Sequence, residues 1–160
     1  MNFRVGFGFD VHPLKENHPF YLGGIRLESA KGAAGHSDAD VLLHALCDAL
    51  LGAAGLRDIG FHFPNTDPQW KGKDSRYFLQ EVMQKLKEKG WQVVNVDCTV
   101  CLERPKINPH IPAMKAVLAP LLGIGEDAVS IKATTNEQLG YVGREEGVCA
   151  YAVCLIQQAL

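Results

Sequence analysis

Apolar and polar residues alternate from Phe3 to His12, with Phe3, Val5, Phe7, Phe9 and Val11 on one side and Arg4, Gly6, Gly8, Asp10 and His12 on the other. A period of two predicts a half-buried strand. The period changes in the stretch from His36 to Gly55, where Val41, Leu42, Ala45, Leu46, Ala49 and Leu50 recur as one broad apolar helical face. Ser37 and Asp38 offer N-caps there, and Gly55 offers a stop. Ser75 to Lys89 predicts a second amphipathic helix, with Phe78, Leu79, Val82, Met83 and Leu86 inward and Gly90 closing it. Lys85, Lys87 and Lys89 suit the negative end of its dipole. Val94 to Leu102 returns to a strand pattern, with Val94, Val96, Cys98, Val100 and Leu102 facing one way. A third helix is expected over His110 to Leu122, ended by Gly123, and then a strand over Val129 to Ala133. Val148 to Ile156 is apolar on both faces, which places it deep in a sheet or in a subunit interface.

The stretches between are less regular. Phe20 to Leu27, FYLGGIRL, predicts two short strands about a Gly-Gly turn. Glu28 to Gly35 loses its period and suggests a mobile flap over the start of the first helix. Leu56 to Asp74 is a long segment dense in Pro, Gly and Asp, a length that is often functional in a compact domain. Two prolines set the shape of the turn from Glu103 to Pro109. No repeat or linker divides the chain, so residues 1–160 make one domain, an α+β layer with helices on one face of a mixed sheet.

Apolar residues at 47%, charged residues at 21% and a net charge of −2 describe a globular chain and exclude a disordered tail or a nucleic-acid surface. No stretch is long enough to span a bilayer and the N-terminus lacks a signal-type apolar run, so the expected compartment is the cytoplasm. An odd cysteine count of 5 agrees. Cys98 and Cys101 spell C-x-x-C, but on a strand, residues three apart point to opposite faces, which argues against a redox or zinc pair.

Asp40, His44 and Asp48 interrupt the first helix on one line, a costly arrangement unless something pairs with it. A hydrogen-bonded seam is one answer and a metal is another. Asp10 and His12 project from one face of the first strand. With His44 they form a set that suits a catalytic zinc keeping a fourth position open. His36 and Ser37 lie where a helix start would favour an anion such as phosphate, or they are a capping serine beside an incidental histidine. Asp58 either reaches back toward the metal or is solvated. The loop from Thr134 to Gly147 gathers hydroxyls, glycines, Glu137 and Arg144, suited to phosphate and a second cation, or to a plain solvated turn. A phosphoester enzyme using zinc-bound water would fit the same three ligands. A non-catalytic oligomer with structural zinc would need a fourth.

Taken together, Phe9-Asp10-Val11-His12, His36-Ser37-Asp38-Ala39-Asp40 with His44, Asp58-Ile59-Gly60, Phe63-Pro64-Asn65-Thr66-Asp67, Pro105-Lys106 and Lys132-Ala133-Thr134-Thr135 resemble the 2-C-methyl-D-erythritol 2,4-cyclodiphosphate synthase family over nearly the whole chain. The resemblance implies a phosphorus–oxygen lyase of non-mevalonate isoprenoid biosynthesis. It would cyclise 4-diphosphocytidyl-2-C-methyl-D-erythritol 2-phosphate and release CMP, in the bacterial cytoplasm, or in a plastid if a transit peptide was removed. It implies zinc on Asp10, His12 and His44, transition-state contacts from His36 and Thr135, and Mg²⁺ or Mn²⁺ held with help from Glu137. Substrate contacts would come from Ser37, Asp58, Ile59, Gly60, Phe63, Pro64, Asn65, Thr66 and Asp67. The cytidine and phosphate side would add Leu102, Pro105, Lys106, Ile107, Asn108, Ala133, Thr134, Tyr141 and Arg144. The family is a homotrimer of ferredoxin-like subunits, with active sites between neighbours and an axial apolar cavity that admits an apolar ligand. Arg144 and Glu146 match the polar ring of that cavity. Two departures stand out: Glu145 where glycine is common, and Asn65 where aspartate often occurs.

Overall fold

A computed structural model describes residues 2–159. The first strand, β1 (Phe3–Glu16), runs antiparallel to the last, β7 (Gly147–Gln158), from Phe3 opposite Gln157 to Pro13 opposite Gly147. β7 pairs antiparallel with β5 (Trp91–Cys101), and β5 pairs parallel with β6 (Val129–Thr134). A short β4 (Lys31–Ala33) extends the other edge, giving the order β4-β1-β7-β5-β6, while β2 (Phe20–Leu22) and β3 (Ile25–Leu27) form a separate hairpin. Three long helices, α1 (Val41–Ala54), α3 (Ser75–Glu88) and α4 (Ile111–Leu122), cover one side of the sheet. Single turns α2 (Ile59–His62) and α5 (Gly140–Gly143) sit in the two long loops. The expected α+β layer with a mixed sheet is the observed one.

The alternation in β1 is real, and the face turned inward is the one that carries the glycines. Phe3, Val5, Phe7, Phe9 and Val11 are between 41% and 69% exposed, and the glycine side faces the core. The reason is close approach. A Cβ added at Gly6 would fall on the carbonyl oxygen of Ala49, and one added at Gly8 on that of Ala45, so α1 rests directly on the β1 backbone. The glycines leave room for a helix. Gly8→Ala is therefore expected to cost about 3 kcal/mol, a fall of roughly 6–12 °C in thermal midpoint. Unchanged unfolding by calorimetry would disprove the close packing.

Helix α1 starts later than the sequence suggests, at Val41 with Asp40 as its N-cap, because Ala39 takes a left-handed conformation at φ 58°. The fully buried Asp40 carboxylate does more than cap: it accepts Leu43 N–H at 3.1 Å and the N–H groups of Gly23 and Gly24 at 3.0 and 2.7 Å. It thereby ties the β2–β3 hairpin to the helix. Asp48 accepts Ile59 N–H at 2.7 Å and so anchors α2. The polar line on α1 thus divides, with its ends used as backbone acceptors and only His44 free for another task. Among the 14 residues of α1, only His44, Asp48 and Gly52 are not buried.

The segment expected to be a mobile flap is partly β4, paired to Leu14–Glu16 at the sheet edge. A Cβ at Gly32 would meet the backbone carbonyls of His18 and Pro19, and that tight packing hides any alternation. In β5 a bulge between Val93 and Asn95 shifts the phase, so Trp91 and Val93 face inward before it and Val96, Cys98 and Val100 after it. Val94 is consequently out of register with the single inward face expected for that strand. Cys98 lies on the helix side, while Cys101 joins Cys149 and Val142 in a separate small cluster. The two thiols of the C-x-x-C therefore diverge, as expected. None of the described helices is long and apolar enough to cross a membrane.

Candidate metal centre and adjoining clefts

Asp10 and His12 sit on the core-facing side of β1, just past the glycines where α1 makes its closest approach, and His44 comes down from the first turn of α1. Asp10 Oδ2 is 2.9 Å from His12 Nε2 and 3.1 Å from His44 Nδ1, and the two ring nitrogens are 3.0 Å apart. A tetrahedral zinc with bonds of about 2.0–2.1 Å has donor–donor edges of about 3.3 Å, so a small inward-facing ion fits this triangle. No further histidine, cysteine or carboxylate joins the group among the described residues. The electrostatics point the same way. Burial pushes the Asp10 carboxyl up, yet hydrogen bonds and charge from His12 and His44 prevail and bring it down to about 2. Burial pushes His44 down, but the hydrogen bond to Asp10 and the charges of Asp10, Asp40 and Asp38 raise it above its ordinary value. The cluster demands positive charge, which a bound cation supplies in place of protons.

A cleft of about 520 Å³ opens directly onto this triangle. Its lining includes His12, His44, His36, Ser37, Ile59, Gly60 and the run from Phe63 to Thr66. His36 Nε2 lies 3.0 Å from the Asp67 carbonyl, so the helix-entry segment and the long loop close on each other. Asp58 caps α2 by accepting Phe61 N–H at 2.9 Å, while its side chain stays exposed. Asp67 turns its carboxylate to Gln69 and stays off the lining. Two aromatic residues that the sequence does not mark as part of a site, Trp70 and Phe78, also line the cleft: Phe63 packs on them with centroids 5.4 and 4.9 Å away. Phe78 was readable only as helix core, and Trp70 lay in an aperiodic loop.

A second cleft, about 1000 Å³, is lined by Pro105, Lys106, Thr135 and Glu137, and also by Lys31, Glu103 and Arg104. It shares no lining residue with the first. Thr135 Oγ1 donates to Glu137 Oε1 at 3.2 Å. Glu103 Oε1, unnoticed in the sequence, accepts the N–H groups of Asn136 and Gln138 at 2.9 and 3.2 Å and so shapes the loop that carries them. Leu102 and Ile107 are buried at 5% and 2% exposure, so at these positions the chain presents backbone rather than side chain. Asn108, Ala133 and Thr134 are exposed nearby in sequence but line neither cleft. Tyr141 and Arg144 line neither as well, and Arg144 pairs with Glu146 at 3.0 Å. Glu145 adopts φ 57°, where a glycine would be free of strain. Its charge is directed at Lys31 and Arg104, 4.0 and 3.7 Å away, rather than at the Arg144–Glu146 pair.

A carboxylate and two imidazoles meeting where a strand is crossed by a helix, at the floor of a polar-rimmed cleft, define an α+β enzyme with a candidate metal centre. The pattern of the YgbB family matches residues 3–157, and the chain belongs to that family. It is 62% identical over 156 residues to a protein of Cytophaga hutchinsonii named 2-C-methyl-D-erythritol 2,4-cyclodiphosphate synthase, covering 98% of each chain. A Porphyromonas gingivalis protein of the same name is 57% identical over 158 residues, covering 99% of this chain and 98% of that one. Enzymes of that name are phosphorus–oxygen lyases, and this chain is an enzyme of that class. Among solved structures, the bifunctional IspDF of Campylobacter jejuni superposes with a TM-score of 0.94 at 39% identity, covering 98% of this chain but only 42% of that one. A 2C-methyl-D-erythritol-2,4-cyclodiphosphate synthase in a CDP-bound form gives 0.89 at 40% identity, covering 96% of this chain and 100% of that one.

Proposed function

We propose that this chain catalyses the zinc-dependent cyclisation of 4-diphosphocytidyl-2-C-methyl-D-erythritol 2-phosphate to 2-C-methyl-D-erythritol 2,4-cyclodiphosphate, releasing CMP, in non-mevalonate isoprenoid precursor biosynthesis. The observation that carries this reading is the Asp10–His12–His44 triangle at the floor of a cleft rimmed by His36 and Ser37. Zinc, when bound, supplies Lewis acidity to a phosphoryl oxygen. Asp10, His12 and His44 would hold the ion. His36 and Thr135 leave the acceptors they hold here, the Asp67 carbonyl and Glu137 Oε1, to donate hydrogen bonds to phosphate oxygens as charge builds there, and Ser37 fixes the phosphate beside His36. Ile59, Gly60 and the Phe63–Thr66 run hold the methylerythritol end against the aromatic wall, with Asp58 and Asp67 at the margin of the cleft, and exclude water, which favours attack by the internal 2-phosphate over hydrolysis. Lys106 meets the diphosphate as a point charge. Leu102, Pro105, Ile107 and Asn108, with Ala133, Thr134 and Tyr141, form the cytidine side, and Glu137 helps hold Mg²⁺ or Mn²⁺ against the diphosphate.

A substrate with both a cytidine and a methylerythritol end needs both kinds of cleft together. The two clefts of one chain share no residue, and a face of exposed Phe, Val and Tyr residues runs along β1 and β7. Both observations support a homotrimer of ferredoxin-like subunits, each active site built from the triad of one chain and the Lys106 cleft of its neighbour. Arg144 and Glu146 would ring an axial cavity able to take an apolar ligand. Free thiols at all five cysteines suit a reducing cytoplasm.

The test is phosphorus NMR of the purified protein supplied with this substrate, zinc and magnesium. Coupled appearance of CMP and the cyclic diphosphate is expected. CMP with an uncyclised product would replace the reading with hydrolysis, and an inert zinc-loaded protein would remove the activity altogether.

A further inference from the structure

The His44 ring has two nitrogens, and its surroundings give each a separate task. Nδ1 faces Asp10 and His12, so it must present a lone pair when a cation occupies the triangle. The ring proton is then on Nε2, and Nε2 lies 2.8 Å from Ser75 Oγ at the start of α3. Ser75 is completely buried. Its hydroxyl has one proton to give, and the Asp38 carboxylate takes it through Oδ1 while Asp38 Oδ2 accepts Ser75 N–H at 2.9 Å. The direction of every bond is thus set: His44 donates to Ser75, and Ser75 donates to Asp38. Asp38 is itself held by its backbone N–H on the Lys73 carbonyl at 3.1 Å. The Ser37 hydroxyl, 3.2 Å from the same Nε2, is a longer alternative acceptor.

We propose that Ser75 and Asp38 are positioning residues for the metal. The relay fixes the His44 tautomer and ring plane, strengthens Nδ1 as a donor, and links the segment bearing His36 and Ser37 to the occupancy of the metal site. Neither residue offers a ligand atom to the triangle, and Ser75 reads in the sequence only as the first residue of an amphipathic helix. The inference rests on the reading of Asp10, His12 and His44 as zinc ligands.

The experiment is competition for zinc between the purified protein and a chromophoric chelator, together with the visible spectrum after cobalt substitution. Ser75→Ala is expected to weaken zinc binding roughly 10- to 100-fold and to alter the cobalt ligand-field bands, while the zinc-free variant unfolds close to zinc-free wild type. Ser75→Thr, which keeps the hydroxyl, is expected to recover the affinity, and Asp38→Asn, which weakens the acceptor, to fall between Ser75→Ala and wild type. Should Ser75→Ala fail to fold, the zinc affinity of Asp38→Asn decides by itself. Affinity within twofold of wild type in the folded variants, with unchanged cobalt bands, overturns the proposal. A wild-type protein that takes up no stoichiometric zinc is a different failure, since it removes the ligand assignment on which the relay depends.

Discussion

Replacing His44 with alanine is expected to remove zinc and activity together, lowering kcat/KM by at least about a thousandfold, the equivalent of roughly 4 kcal/mol of lost transition-state stabilisation. The geometry makes this the most damaging single change at the site. His44 supplies one of only three donors, and it comes from a different element than the other two, so its loss leaves Asp10 and His12 on β1 with no opposing ligand. The fold should survive. His44 borders the cleft rather than the apolar core, and the hairpin tie made by Asp40 and the anchor made by Asp48 are untouched. Zinc content by atomic spectroscopy and turnover by phosphorus NMR check the expectation on the same sample. Stoichiometric zinc retained in His44→Ala would strike His44 from the ligand set, whereas zinc lost with turnover preserved would mean that the reaction does not need the metal.

The donor triad was legible in the sequence because its residues break patterns that are otherwise strict. Asp10 and His12 fall on the polar side of an alternating strand, and His44 interrupts an apolar helix, so chemistry shows up against a regular background. Ser75 had no such background. A serine at a helix start is expected as a capping residue, and only the three-dimensional meeting of α3 with α1 gives its hydroxyl another task. Asp38 was misread for the same reason, as a cap for α1, because helix entry was assigned from local residue types while the left-handed turn at Ala39 delays it to Asp40. That the glycine face of β1 is the inward one was not legible, for a more general reason. Alternation reports that two faces differ, but not which one is inward, and here glycines admit a helix while the large side chains are left outside. A chain considered alone gives no reason to expose five large apolar residues in a row.

The proposed trimer would give that reason, and it sets the second large effect: if that assembly holds, Phe7→Asp is expected to leave monomers in its place and to abolish turnover while leaving zinc bound. Phe7 is 62% exposed in the single chain and lies between Val5 and Phe9 on the outer side of β1, with Tyr151 of β7 packed beside it at a centroid distance of 6.3 Å. Val153, directly opposite Phe7 on β7, is 42% exposed as well, so the patch continues across two strands. An exposed apolar surface of this continuity marks an interaction site. In a threefold assembly one substitution enters every interface, and burying an unpaired carboxylate at each costs several kcal/mol, enough to dissociate subunits at micromolar concentration. Zinc should remain, because Asp10 and His12 lie on the opposite side of the sheet, facing α1, and His44 is carried by α1 itself. Light scattering behind size exclusion reads the assembly, and zinc content and turnover are measured on the same fractions. A Phe7→Asp protein that still runs as a trimer would move the interface elsewhere. A monomer with full turnover would place the whole active site within one chain, and the separate Lys106 cleft would then need another role.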